Sequence, residues 1–133
     1  MLQLSLDIAQ PPVFHYQLGR QLSALRGQGV LLLGSGNVVH NLSRMQRHGP
    51  AAPYPWAQRF HDGVRQHLLT RDDDALIDFN QYWGDDAALA VPTPEHYLPL
   101  LYIIGARCDD DAVEIVTEGI DAAAISMLTV KMG

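Results

Sequence analysis

The sequence predicts an α/β domain in which a mixed, largely parallel sheet is flanked by helices. Three neighbouring segments carry that expectation. Leu2-Gln3-Leu4-Ser5-Leu6 alternates apolar and polar residues with the period of a strand. Leu18, Leu22 and Leu25 then recur at three- and four-residue spacing, the stripe of an amphipathic helix. Val30-Leu31-Leu32-Leu33 follows as a short continuous apolar run, the pattern of a strand buried on both faces of a parallel sheet. Strand, helix and strand in this order make residues 2–34 a candidate βαβ crossover.

The elements can be justified in turn. Pro11-Pro12 ends the first strand, and Pro12 suits the first turn of the helix, where its missing N–H is not needed. Gly27-Gln28-Gly29 closes that helix. Gly34 to Pro55 reads as one long loop rich in Gly and Pro, and a loop of that length inside a small domain is more often functional than idle. Trp56, Phe60, Val64 and Leu68 are spaced by four and predict a second helix. Asp72-Asp73-Asp74 is positioned to cap a third through Phe79. Thr93-Pro94 predicts a cap and first turn of a helix running through Leu98, Leu101, Tyr102 and Ile104 to Gly105, with Pro99 near its start. Val113–Thr117 and Ile125–Val130 close the chain as strands. All of this fits one domain over residues 1–133, and a first strand beginning at Met1 without a preceding turn predicts truncation at the N-terminus.

Composition narrows the function. The chain has 133 residues, 47% hydrophobic and 18% charged, enough to bury one core. No apolar run approaches the roughly 18 residues of a membrane span, so no membrane partner is expected. Nine basic against fifteen acidic residues, net −6, with the cations scattered, argues against nucleic acid, whose binders present a basic face. The single cysteine, Cys108, rules out a disulfide framework and a thiolate metal cage within one chain. With no basic flank and long apolar stretch at the start, the expected compartment is the cytoplasm.

The six histidines are the richer clue, since neutral imidazole both ligates metals and carries protons near pH 7. Gly34-Ser35-Gly36 after a predicted strand invites a dinucleotide site, but Val39 stands where the third glycine of that fingerprint belongs and no acidic residue lies about twenty positions on. His40 closes the same loop, beyond the carboxyl end of a strand, where α/β proteins gather ligands. Asn37 or Asn41 could orient its ring; the plain alternative is a loop histidine bonded to a carbonyl. His96, in Thr93-Pro94-Glu95-His96-Tyr97, sits in the first turn of a predicted helix, where the positive dipole end favours a neutral imidazole available to a metal. Glu95 beside it is a candidate orienter of that ligand or a partner of the dipole. His15, on the first helix, is a candidate supporting residue or a packed core histidine. His48, His61 and His67 form no metal-binding pattern.

Together, Gly34-Ser35-Gly36-Asn37-Val38-Val39-His40-Asn41-Leu42 and Pro92-Thr93-Pro94-Glu95-His96-Tyr97-Leu98-Pro99-Leu100-Leu101 resemble the class III extradiol ring-cleavage dioxygenases, in the DOPA 4,5-dioxygenase-like branch. Leu4–Asp7, His15–Gly19, Pro53–Ala57 and Ser126–Val130 fit as well, so the resemblance runs along the chain and is to the C-terminal half of such an enzyme. It implies a non-haem divalent metal, Fe(II) or Zn(II), a catechol-type, DOPA-like substrate and O₂. It implies His96 as a metal ligand and His40 as the active-site acid and base, which some members bring onto the metal. Relatives carry two further metal-binding histidines in an N-terminal half that this chain lacks, so activity as an isolated chain is expected to be incomplete. Pairing with that half, or a homo-oligomer, is the expected assembly. The alternative is a non-enzymatic half-domain serving as a binding or assembly module.

Overall fold

The computed structural model describes residues 1–133 and contains six helices and four short strands. α1 (Pro12–Arg26) begins with proline in its first turn, as its sequence predicts, and ends at Gly27. α2 (Pro55–Thr70) buries Phe60, Val64 and Leu68 completely, the stripe spaced by four. α3 (Asp73–Ile77) is capped by Asp72, whose carboxylate accepts from the Ala75 amide at 3.3 Å. That helix stops at Asp78 instead of continuing through Phe79, and two more short helices, α4 (Phe79–Trp83) and α5 (Asp85–Ala90), follow it.

The expected helix over 93–105 is split. A 3-10 turn covers Pro94–His96, and α6 (Leu98–Gly105) starts only after Tyr97. Pro99 explains the break, because it has no N–H to give Glu95 and its ring would crowd that carbonyl in a continuous helix. Thr93 does not cap the turn; its hydroxyl donates to Glu95 Oε1 at 2.7 Å.

α1 packs along α6 at very close range. A Cβ on Gly19 would lie 2.3 Å from the Tyr102 carbonyl oxygen, and one on Gly105 would lie 2.2 Å from that of Tyr16. Only hydrogen at these positions lets the two backbones touch. The core lies between α2, the α3–α5 run and α6, with Phe60, Phe79 and Tyr97 at its centre; the buried Tyr97 hydroxyl donates to the Leu76 carbonyl at 2.9 Å.

The sheet differs from expectation. β1 (Val113–Thr117) pairs antiparallel with β4 (Thr129–Met132), Ile115 opposite Val130, and β2 (Ile120–Asp121) pairs antiparallel with β3 (Ile125–Ser126). No pair is parallel. Leu2–Leu6 and Val30–Leu33, the strands predicted to form the crossover, belong to no ladder. The backbone of Leu31–Gly36 makes no hydrogen bond within the chain, nor does that of Met1–Leu6. Their side chains are not buried either: Leu2, Leu31 and Leu33 are 101%, 85% and 82% exposed. The apolar pattern of a buried strand is present, but a strand exists only against a partner, and these two stretches have none. No helix is long and apolar enough to cross a membrane.

Candidate metal and acid–base site

Residues 36–41 form a strip clamped on both sides. Along one side the Ser126 amide donates to the Val39 carbonyl at 2.9 Å, the Asn41 amide donates to the Ala124 carbonyl at 3.1 Å, and His40 makes an antiparallel bridge with Ile125. Along the other, the His40 amide donates to the Ala90 carbonyl at 2.9 Å and the Asn37 amide to the His96 carbonyl at 3.0 Å. Gly36 permits the second contact, since a Cβ there would stand 2.0 Å from the His96 carbonyl oxygen. The Gly-Ser-Gly sequence thus serves a close approach to the 94–96 turn.

The clamp brings the two predicted imidazoles together. The His40 and His96 rings stack with centroids 4.2 Å apart and planes inclined by 21°. His40 is buried, 5% exposed, while His96 is partly exposed. His40 Nε2 lies 3.4 Å from Thr93 Oγ1 and 3.9 Å from Glu95 Oε1; its Nδ1 is buried with no protein partner. Burial, and after it the neighbouring His96, push the His40 pKa below that of a free imidazole, against the pull of Glu95. The hydrogen bond from Thr93 holds the Glu95 carboxyl below its ordinary pKa, so it is ionised at neutral pH.

One donor atom from each of His40, Glu95 and His96 lies within 4.8 Å of the others. Two imidazoles and a carboxylate are a donor set that Zn(II) and Fe(II) accept, and few protein ligands leave positions open for other molecules. The His40 atom on the Glu95 side is Nε2, 3.9 Å from Oε1, while its Nδ1 is buried without a partner. The residues present therefore fit such an ion. Their orientation separates the two histidines: ring lone pairs lie in the ring plane, and nearly parallel planes direct them side by side instead of onto one point.

The other predicted site residues fall elsewhere. Asn37 does not orient the His40 ring; its side-chain amide donates to the Ser126 carbonyl at 2.7 Å. Asn41 likewise fixes backbone, donating to the Leu89 carbonyl at 2.8 Å and accepting from Ser43 and the Arg44 amide. Both hold the strip and not the imidazole. His15 is fully buried against Tyr102, Nδ1 to hydroxyl 3.0 Å, and is not part of the His40–His96 cluster. Two contributors lie outside the sequence expectations. Thr93 reads as a helix cap, although a hydroxyl two residues before a carboxylate is a signal for the contact it makes. Ser126, paired through its hydroxyl with His61 at 2.9 Å, carries no signal in the local sequence.

No family model matches the chain. Over its full length it is 43% identical to a protein of Escherichia coli K12 named 4,5-DOPA dioxygenase extradiol, of which it covers 49%. It is 30% identical over 129 residues to a Portulaca grandiflora protein of the same name, matching 97% of this chain and 47% of the relative. The crystal structure of an uncharacterised Escherichia coli K12 protein superposes with a TM-score of 0.90 at 41% identity, covering 97% of this chain and 53% of that one. Along its whole length the chain resembles the C-terminal half of a class III extradiol dioxygenase-like protein, the similarity being to proteins named 4,5-DOPA dioxygenase extradiol, and it spans about half the length of the curated relatives it matches.

Proposed function

We propose that this chain supplies the acid–base imidazole and one metal ligand of an extradiol ring-cleaving dioxygenase acting on a catechol-type substrate with O₂. The observation that carries the reading is the stacked His40–His96 pair beside an ionised Glu95. His96, the more exposed ring, would hold the ion through a ring nitrogen, with Glu95 next to it. When bound, Fe(II) supplies Lewis acidity and a common template for the diol and O₂, and Zn(II) could occupy the same donors. His40, kept neutral by burial, is ready to accept a phenolic proton and return it later, and its place on a clamped strip fixes where that proton goes. Thr93 and Glu95 face its Nε2 and stabilise the imidazolium formed in between.

The chain's own donors are too few for tight metal binding, and residues 2–6 and 31–33, the latter leading directly into the strip that carries His40, offer backbone with no partner in the chain. The occupant we propose for that edge is the polypeptide corresponding to the remainder of the relatives' length, completing sheet and metal site together. The same exposed edge favours the second reading, an assembly module without catalysis.

The test mixes the chain with the remaining half of the Escherichia coli relative, adds Fe(II) and a catechol, and admits air. Yellow semialdehyde should form in the mixture, not with either half alone, and His96→Ala should abolish both colour and bound iron. A stable, metal-free complex unaffected by His96→Ala would support the module; robust turnover by the isolated monomer would refute the proposed incompleteness.

A further inference from the structure

At the end of α6 away from His96 lies a cleft of about 730 Å³ whose lining includes Arg20 from α1, Arg71 from the end of α2 and Arg107 from the end of α6. In a chain of net charge −6 this is an unusual gathering of cations. Two carboxylates share the cleft, Asp73 and Asp109. Asp73 is already engaged, accepting from Tyr16 Oη at 2.9 Å and from Arg107 Nη2 at 2.7 Å. Asp109 is exposed and makes no ion pair.

The arginines are not used up by these contacts. Arg71 is held by the carbonyls of Cys108 and Asp111; the Asp111 carboxylate lies near enough to feel its charge but is ion-paired with Arg26. Arg20 has no carboxylate partner. The Arg107 side chain is only 6% exposed, and its Nη1 has no hydrogen-bond partner. A buried guanidinium N–H without an acceptor is costly, and a cleft lined by three guanidiniums against two carboxylates, one of them already bonded to Arg107, keeps an excess of positive charge that attracts an anion.

We infer that this cleft binds a small oxyanion, the phosphate or carboxylate group of a low-molecular-weight ligand, seated between Arg20 and Arg71 and supplying an acceptor for Arg107. Guanidinium is suited to this task because its planar fork matches both groups. The site is separate from the His40–His96 pair and does not depend on the function proposed for it.

The test titrates the metal-free chain at low, fixed ionic strength with inorganic phosphate in one arm and acetate in the other, following heat and the arginine Nε–H resonances. Saturable binding in either arm is expected, the stronger arm naming the ligand's anionic group. Arg20→Gln, on the exposed face of α1, should weaken it about tenfold, and Arg20→Glu should abolish it, with the fold intact by circular dichroism. Arg71→Gln gives a second reading from another element. His96→Ala and Arg44→Gln, both outside the cleft, should bind normally. Absence of saturation in both arms, or binding indifferent to the Arg20 and Arg71 substitutions, would overturn the inference.

Discussion

Ser126 anchors His61: the two side chains meet at 2.9 Å in a place where both are buried, and the Ser126 hydroxyl also accepts from the Leu128 amide at 3.2 Å. The hydroxyl keeps its proton and a second lone pair for His61 Nδ1, so it can serve either tautomer of the ring, and it is burial that disfavours the charged imidazole. The same serine, through its backbone, holds Val39 and Asn37 on the strip that presents His40. A pH-sensitive residue thus stands directly behind the candidate site.

Burial is the main cause that lowers the His61 pKa, so the unfolded chain takes up its proton first, near the ordinary histidine value of about 6.5. The contribution of His61 is therefore complete above that value and declines as pH falls through the window beneath it. Urea unfolding from pH 7.5 down to 5 should show stability falling toward acid. His61→Asn, which retains a polar partner for Ser126, should flatten that acid limb by up to one proton. An unchanged slope in the variant would count against the buried neutral form.

Gly36→Ala tests the clamp. The added methyl would meet the His96 carbonyl at 2.0 Å, so strip and turn must separate. A loss of about 1–3 kcal/mol in urea unfolding is expected, together with faster hydrogen exchange at the Asn37 amide. Full retention of both would mean that the two segments are not in contact.

Leu31→Lys with Leu33→Lys tests the open edge. Both side chains are largely exposed, so the double variant should change monomer stability by no more than about 0.5 kcal/mol per site. It should sharply reduce self-association and pairing with the relative's remaining half, as charges on an edge strand do, read by sedimentation. A large drop in melting temperature would show instead that these leucines pack within the chain.

Tyr97→Phe removes the hydroxyl that satisfies the Leu76 carbonyl in the core. The expected loss is about 1–2 kcal/mol, with the His40–His96 pair undisturbed. A neutral result would imply that the Leu76 carbonyl finds another donor.

Local pattern is a good guide wherever a segment satisfies its own backbone. α1 and α2 follow from their prolines and apolar stripes, and the start of α3 from Asp72. It misleads wherever the partner lies elsewhere. Leu2–Leu6 and Val30–Leu33 carry strand patterns, yet pairing depends on a neighbour that a local pattern does not name, and here they stand open. The short α4 and α5 lack a stripe long enough to declare itself, and the hairpin of β2 with β3 is only two residues deep. In the candidate site, His40 and His96 are legible through extended motifs. The work of Asn37 and Asn41 is not, because an asparagine in a loop offers the same amide to a ring or to a backbone carbonyl.

The interruption at Tyr97 has a consequence for ligand capture. In an unbroken helix the His96 carbonyl would be bonded by the Leu100 amide; here that amide turns to Tyr97, and the released oxygen receives Asn37. One defect in a helix therefore becomes the bolt between the two loops of the pocket. Because the bolt is made of main chain, both rings are already in register before anything arrives, and little conformational freedom is left to lose on binding.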